Sequence, residues 1–195
     1  MEDMAAGVPS TIIAGVSLLG TSIDQISNNI NTTRNVVIQI TNYSDKYTLG
    51  SPRVYTKSGY CLSPPQPTIR KKTTEACSFT KTSDTACGAV GILTYTILTD
   101  ECNSVGELVI MFSVPYDYNI YENWLALGIF NTSISCNDEL FNRLYYDPST
   151  NDCPFARGKG AGSGIAYSTG QICVKGTMSP AGKSVMKVEF WDQLC

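Results

Sequence analysis

Val36-Val37-Ile38-Gln39-Ile40-Thr41 reads as a β-strand, because five of its six residues are β-branched, the class that packs best on a pleated surface. Upstream of it the period is different. Ile12, Val16, Leu19, Ile23, Ile26 and Ile30 recur at steps of four and three, the spacing of one helical face. Thr11, Ser17, Thr21, Asp24, Gln25, Asn28 and Asn29 fall mostly on the other side, and Ser10 after Pro9 is placed to cap. The expectation is an amphipathic helix over Thr11–Ile30, roughly 30 Å long at about 1.5 Å per residue. That length matches the hydrocarbon core of a bilayer, about 30 Å. With two glycines and a polar face the helix would not span alone. As one of several staves around a water-filled pore it would turn Asp24 and its polar side to the lumen.

Downstream, short β-branched or aromatic runs alternate with Gly, Pro, Asn, Asp and Ser. Strands are expected at Pro52–Thr56, Ala76–Thr80, Gly91–Leu98, Glu107–Val114, Trp124–Phe130, Gly164–Ser168, Gln171–Met178 and Val185–Trp191. Ser179-Pro180-Ala181-Gly182 is a turn between the last two. Asn137 caps a short helix at about 137–146, with acids in its first turn. Gly158–Gly164 reads as a flexible loop. The fold class is therefore mainly β. It is a β-sandwich flanked by two α-helices, the N-terminal one amphipathic and detachable. The chain is one domain over 1–195, with 1–30 as the helical segment and 34–195 as the body.

Function classes narrow quickly. Net charge is −3 and charged residues make up 16% of the chain, so no basic stripe exists to neutralise a nucleic acid backbone. Arg70-Lys71-Lys72 is the sole basic run and reads as a solvated turn. There is no histidine, which removes Ser-His and Cys-His nucleophiles and most zinc sites. No enzyme, cofactor or metal is expected. Cys61, Cys77, Cys87, Cys102, Cys136, Cys153, Cys173 and Cys195 form no C-x-x-C pair, and their even number points to disulfides and an oxidising compartment. Cys195 is the candidate loose thiol. Sequons stand at Asn31, Asn42 and Asn131, compatible with glycans. The start, Met1-Glu2-Asp3, is acidic and unlike a secretory leader. No run approaches 18 uninterrupted apolar residues, so a constitutive span is not expected.

The stretch Phe112-Ser113-Val114-Pro115-Tyr116-Asp117-Tyr118-Asn119-Ile120-Tyr121-Glu122-Asn123-Trp124 leaves a strand and gathers amphipathic aromatics, which suit a boundary between water and lipid. Four segments together carry a resemblance. They are Thr11–Leu18, Ser113–Asn119 with Tyr121, Asn123 and Trp124, Leu144-Tyr145-Tyr146, and Lys175–Gly182. Through them the chain resembles the actinoporins, the pore-forming cytolysins of sea anemones, and their relatives in other animals, over nearly its whole length.

The resemblance implies a secreted, soluble monomer that binds phosphocholine-type headgroups, of sphingomyelin or phosphatidylcholine. It then assembles as a homo-oligomer in the target membrane and inserts its N-terminal helix as a cation-favouring pore. Carried over, the headgroup pocket would be Ser58, Val90, Ser113, Pro115, Tyr121, Tyr145 and Tyr146. Tyr118, Ile120, Trp124 and Phe141 would meet the membrane interface, and Arg34 would meet a lipid phosphate or a neighbouring protomer. The chain departs from the family at Ile120, where the anemone proteins carry a tryptophan, at Phe141, where they carry a tyrosine, and at Leu125, which replaces an aromatic. Arg157-Gly158-Lys159 replaces their Arg-Gly-Asp, and the anemone proteins lack cysteine. The alternative is a lectin-like module of the same sandwich type that binds glycan or lipid headgroups without perforating. The N-terminal stripe favours the pore.

Overall fold

The computed structural model describes residues 11–13, 16–17, 22–131, 133–148, 150 and 152–193. In chain order the elements are β1 (Thr11–Ile13), β2 (Val16–Ser17), α1 (Ile23–Asn29), β3 (Asn35–Asn42), β4 (Thr48–Ser58), β5 (Tyr60–Ser63), β6 (Thr68–Ile69), β7 (Thr73–Thr80), β8 (Ala89–Leu98), β9 (Ser104–Val114), β10 (Trp124–Phe130), α2 (Asp138–Tyr146), β11 (Phe155–Lys159), β12 (Ile165–Thr169), β13 (Ile172–Met178) and β14 (Lys183–Trp191). One sheet runs β12-β13-β14-β3-β7-β1-β2, with β5 also on β7, and the other runs β11-β10-β9-β8-β4-β6. Among the described residues the two sheets form a β-sandwich with two helices, as the alternation of strands and turns predicts.

The main core lies between the sheets. Val36, Ile38 and Ile40 of β3 meet Leu93 and Tyr95 of β8 and Leu108, Ile110 and Phe112 of β9. Strand β9 is apolar at consecutive positions because both of its faces are covered. Its other face carries Val109 and Met111, which pack with Ala126 of β10 under Leu140, Phe141 and Leu144 of α2. A continuous apolar run is the expected mark of a strand buried on both sides. Helix α2 begins where Asn137 accepts a hydrogen bond from the Leu140 amide at 3.1 Å, with Asp138 and Glu139 in its first turn.

The N-terminal segment corrects the periodicity reading. Ile12 and Val16 lie in β1 and β2, which precede the helix, and Leu19 lies outside the described residues. Among the described residues of this segment Ile23–Asn29 is helical, with Ile30 as its C-cap. Ser22 and Gln25 form a reciprocal capping box, which sets the helix start there and not at Ser10. The β-branched run Thr11–Ile13 instead pairs with β7 at Thr74, Glu75 and Ala76. Strand β5 pairs only with Ser78, Phe79 and Thr80 of that strand. Strand β1 therefore covers an edge that would otherwise leave backbone groups open.

Other departures are local. Gly158 and Lys159 belong to β11, so the glycine-rich loop starts later than expected. Arg70–Lys72 is a turn as read, with Lys72 at φ 57° and its lysines ion-paired to Asp100 and Asp45. Asn42 is fully buried, and its amide donates to the Tyr47 and Ile69 carbonyls at 2.9 and 3.2 Å, which closes that sequon to a glycan. Six cysteines expected in disulfides are free thiols: Cys61, Cys77, Cys87, Cys102, Cys136 and Cys153. Cys173 is disulfide-bonded, and Cys195 lies outside the described residues.

Candidate functional site at the aromatic end

Strand register assembles the site from distant parts of the chain. Ser58 pairs with Val90, Val90 with Ser113, Ser113 with Trp124, and Trp124 with Lys159. Directly paired residues share a face of the sheet. Val90 and Trp124 pack against the cluster under α2, so the whole row looks out on that side, at the end of the sheet. Ser58 Oγ donates to the Gly88 carbonyl at 3.2 Å. A side chain at Gly88 has no room, since a Cβ there would lie 2.2 Å from the Val114 carbonyl oxygen.

Helix α2 brings its last turn to this row. Tyr145 stacks on Phe141 with centroids 5.5 Å apart and meets Tyr146 edge-on at 4.9 Å. Burial holds the Tyr145 phenol above its usual range, and a hydrogen bond with Ser113 works against that rise. Arg157 Nη1 donates to the Leu144 and Tyr145 carbonyls at 3.0 and 2.8 Å, satisfying two acceptors that a helix C-terminus leaves unpaired. The same guanidinium lies 5.9 Å from the Trp124 ring centroid. Lys159 Nζ is also 5.9 Å from that centroid and pairs with Glu122 at 2.6 Å.

The loop between β9 and β10 completes the end of the molecule. Arg34 Nε donates to the Pro115 and Tyr116 carbonyls at 2.9 and 3.0 Å, and Nη2 donates to the latter at 2.7 Å. Its Nη1 binds the Thr33 carbonyl at 2.8 Å, and its guanidinium lies 4.7 Å from the Tyr118 ring centroid. Asn123 is buried. Its amide donates to the Ser179 and Ala181 carbonyls at 2.8 and 3.0 Å, while its Oδ1 accepts from the Tyr118 hydroxyl at 2.7 Å. Held at both ends, the loop displays Ile120 at 71% exposure and Tyr121 at 57%, near Tyr146 at 69%.

The structure sets Ser58, Val90, Ser113 and Tyr145 side by side, and it revises the expected interface role of Phe141 and the expected contact role of Arg34. Phe141 is 3% exposed and supports Tyr145 from below. It cannot face lipid, because with Leu140 and Leu144 it forms the buried stripe of α2. Arg34 directs Nε and Nη2 across to the β9–β10 loop, so its observed role is to position Pro115–Tyr118. Arg157 as the clamp of α2 was not legible, since nothing local marks a residue 12 positions downstream as a helix cap. Replacing Asn123→Ala would orphan two carbonyls and the Tyr118 phenol, and it should cost roughly 2–4 kcal/mol in urea unfolding.

Comparison with known proteins places the chain in a family. A family model described as sea anemone cytotoxic protein matches residues 7–191. The deep sea actinoporin Cjtox II of Cribrinopsis japonica is 44% identical over 64 residues, covering 33% of this chain and 27% of its own. DELTA-thalatoxin-Avl1b of Actineria villosa is 31% identical over 147 residues, covering 74% of this chain and 62% of its own. These curated relatives are thus matched over less than two thirds of their length. Among solved structures, the lipid binding protein Nakanori is similar with a TM-score of 0.61 at 11% identity, over 86% of this chain and 74% of that one. This likeness shows the fold alone. With the family match running through nearly every element described above, the chain belongs to the sea anemone cytotoxic protein family.

Proposed function

We propose that this protein is a secreted, pore-forming cytolysin. It binds phosphocholine-type headgroups, of sphingomyelin or phosphatidylcholine, at its aromatic end, assembles with copies of itself, and inserts its N-terminal segment as a cation-favouring pore. The observation that carries the reading is the exposed group Ile120, Tyr121 and Tyr146 beside the row Ser58, Val90, Ser113 and Trp124. Tyr121, Tyr145 and Tyr146 offer ring faces to a quaternary ammonium. The exposed Tyr121 and Tyr146 hydroxyls offer donors to a phosphate, and Ser58 and Ser113 would join them by turning from the Gly88 carbonyl and from Tyr145. Val90 and Pro115 supply apolar floor, and Tyr118, Ile120 and Trp124 meet the acyl boundary.

The light attachment of α1 supports insertion. Ile23 and Ser27 are its buried residues, and Ser27 Oγ donates to Asn35 Oδ1 at 2.8 Å. Lys183 Nζ donates to the Asn28 and Ile30 carbonyls at 2.8 and 2.9 Å. No cysteine precedes Cys61, so no disulfide ties the segment down. Burial of Ile23 stabilises by roughly 1.5–3 kcal/mol and each hydrogen bond by about 0.5–1.5 kcal/mol. Transfer of Ile, Leu and Val into lipid returns only about 0.3–0.6 kcal/mol per residue, so contacts between protomers must supply the rest. Among the described residues no helix is long and apolar enough to cross a membrane. The inserted state therefore requires β1 and β2 to leave β7 and join α1, with the exposed Asp24 facing the lumen.

The test compares vesicles of phosphatidylcholine with sphingomyelin against vesicles of phosphatidylethanolamine with phosphatidylglycerol, by co-sedimentation and dye release. Binding and release confined to the choline-containing vesicles is the expected result. Equal binding to both would defeat the headgroup assignment, and binding without release would favour the lectin-like alternative.

A further inference from the structure

Glu75 is a carboxylic acid inside the sandwich. It follows the parity of Cys77 and Phe79 on β7, both core residues, and its partner on β3 is Ile40, also in the core. Alternation along the strand turns all of them inward. Glu75 is 9% exposed, and its Oε2 is enclosed with no hydrogen-bond partner. The titratable group that feels its charge is Tyr95 of β8, and Cys77, two residues along its own strand, is a buried thiol whose titratable neighbour is Cys61. The Tyr95 hydroxyl is turned to the Gln66 carbonyl, to which it donates at 2.7 Å. Strands β3 and β6 present Ile40 and Ile69, which carry no charge. Among the described residues no cation pairs with Glu75, and the nearest lysines in sequence, Lys71 and Lys72, are engaged by Asp100 and Asp45. On the other edge of β7 the register partner of Glu75 is Ile12 of β1, so the acid lies where the N-terminal segment is held.

We infer that Glu75 is a proton-operated clasp on the N-terminal segment: neutral, it tolerates the closed seam between β1 and β7, and ionised, it favours opening that seam to water. A buried carboxylate without a partner gains solvation when its cover leaves. Desolvation raises the Glu75 pKa from 4.5 to about 7. The closed state therefore keeps a proton that the open state releases. Closure is strongest below about pH 4.5, weakens as pH rises toward about 7, and is level above that. Between pH 5 and pH 7.5 the opening equilibrium should rise on the order of 50-fold.

Hydrogen exchange of the full chain in solution tests this without any membrane. After correction for intrinsic exchange, protection in peptides covering 11–17 and 73–80 should fall roughly 50-fold from pH 5 to pH 7.5. Protection in β9 serves as the reference and should not follow. Glu75→Gln and, should that variant fold poorly, Glu75→Met should remove the pH dependence and hold the seam closed at both pH values. An equally steep dependence in the folded variants, or none in the unaltered chain, overturns the clasp. Its consequence for dye release, faster at pH 7.5 than at pH 5, rests on the pore reading. Exchange that follows the clasp with no release at any pH would sink the pore reading alone.

Discussion

A chain lacking residues 1–30 should still bind phosphocholine vesicles and release no dye. The aromatic end is held by elements outside the deletion. Asn123 ties its loop to the Ser179 and Ala181 carbonyls, and Arg157 clamps α2. What the deletion removes is α1 with β1 and β2, and with them the wall of the proposed pore. The body loses cover over Asn35 and Ser184, which Ser27 contacts, and its melting temperature should drop modestly. Dye release by the truncated chain would mean that the wall comes from elsewhere. A cross-link between positions 27 and 35 makes the same test without deletion, because those side chains touch at 2.8 Å. The tethered form should bind and stay silent until the link is cut.

The second large effect is expected at the tyrosines. Tyr121→Ala and Tyr145→Ala should each weaken binding to phosphatidylcholine and sphingomyelin vesicles. A desolvated cation–π contact is worth about 2 kcal/mol, which is roughly 30-fold in affinity. Tyr121 is exposed, so its replacement should leave unfolding unchanged. Tyr145 stacks on Phe141, so its replacement should also cost some stability. Tyr145→Phe separates the two contributions: it keeps the ring over Phe141 and loses only the hydroxyl that bonds Ser113. Surface plasmon resonance on supported bilayers reads both effects, and unaltered binding by both alanine variants would remove these rings from the site.

Strand positions were legible because burial imposes a pattern on local sequence. Val36–Thr41 became β3, Trp124–Phe130 became β10, and Asn137 capped α2. Strands β5, β6 and β11 were not legible, being short or interrupted by glycine, and their partners give them their definition. The N-terminal stripe misled for a related reason. Its helical spacing is real, but Thr11–Ile13 also has strand chemistry, and the open half of β7 offers it hydrogen bonds that an isolated helix end lacks. A segment with two compatible patterns takes the one its surroundings satisfy.

Sequence alone determined the class of the fold, the helix at α2 and the kinds of residue able to grip a headgroup, because periodicity, capping and side-chain chemistry are local properties. The tertiary structure decided which of those residues meet. Register across five strands set Ser58, Val90, Ser113, Trp124 and Lys159 side by side. Helix packing buried Phe141 and left Tyr146 exposed. Pairing on one strand edge brought the start of the chain to Glu75. Such contacts join residues far apart along the chain, and their free energies depend on geometry that no short stretch of sequence contains.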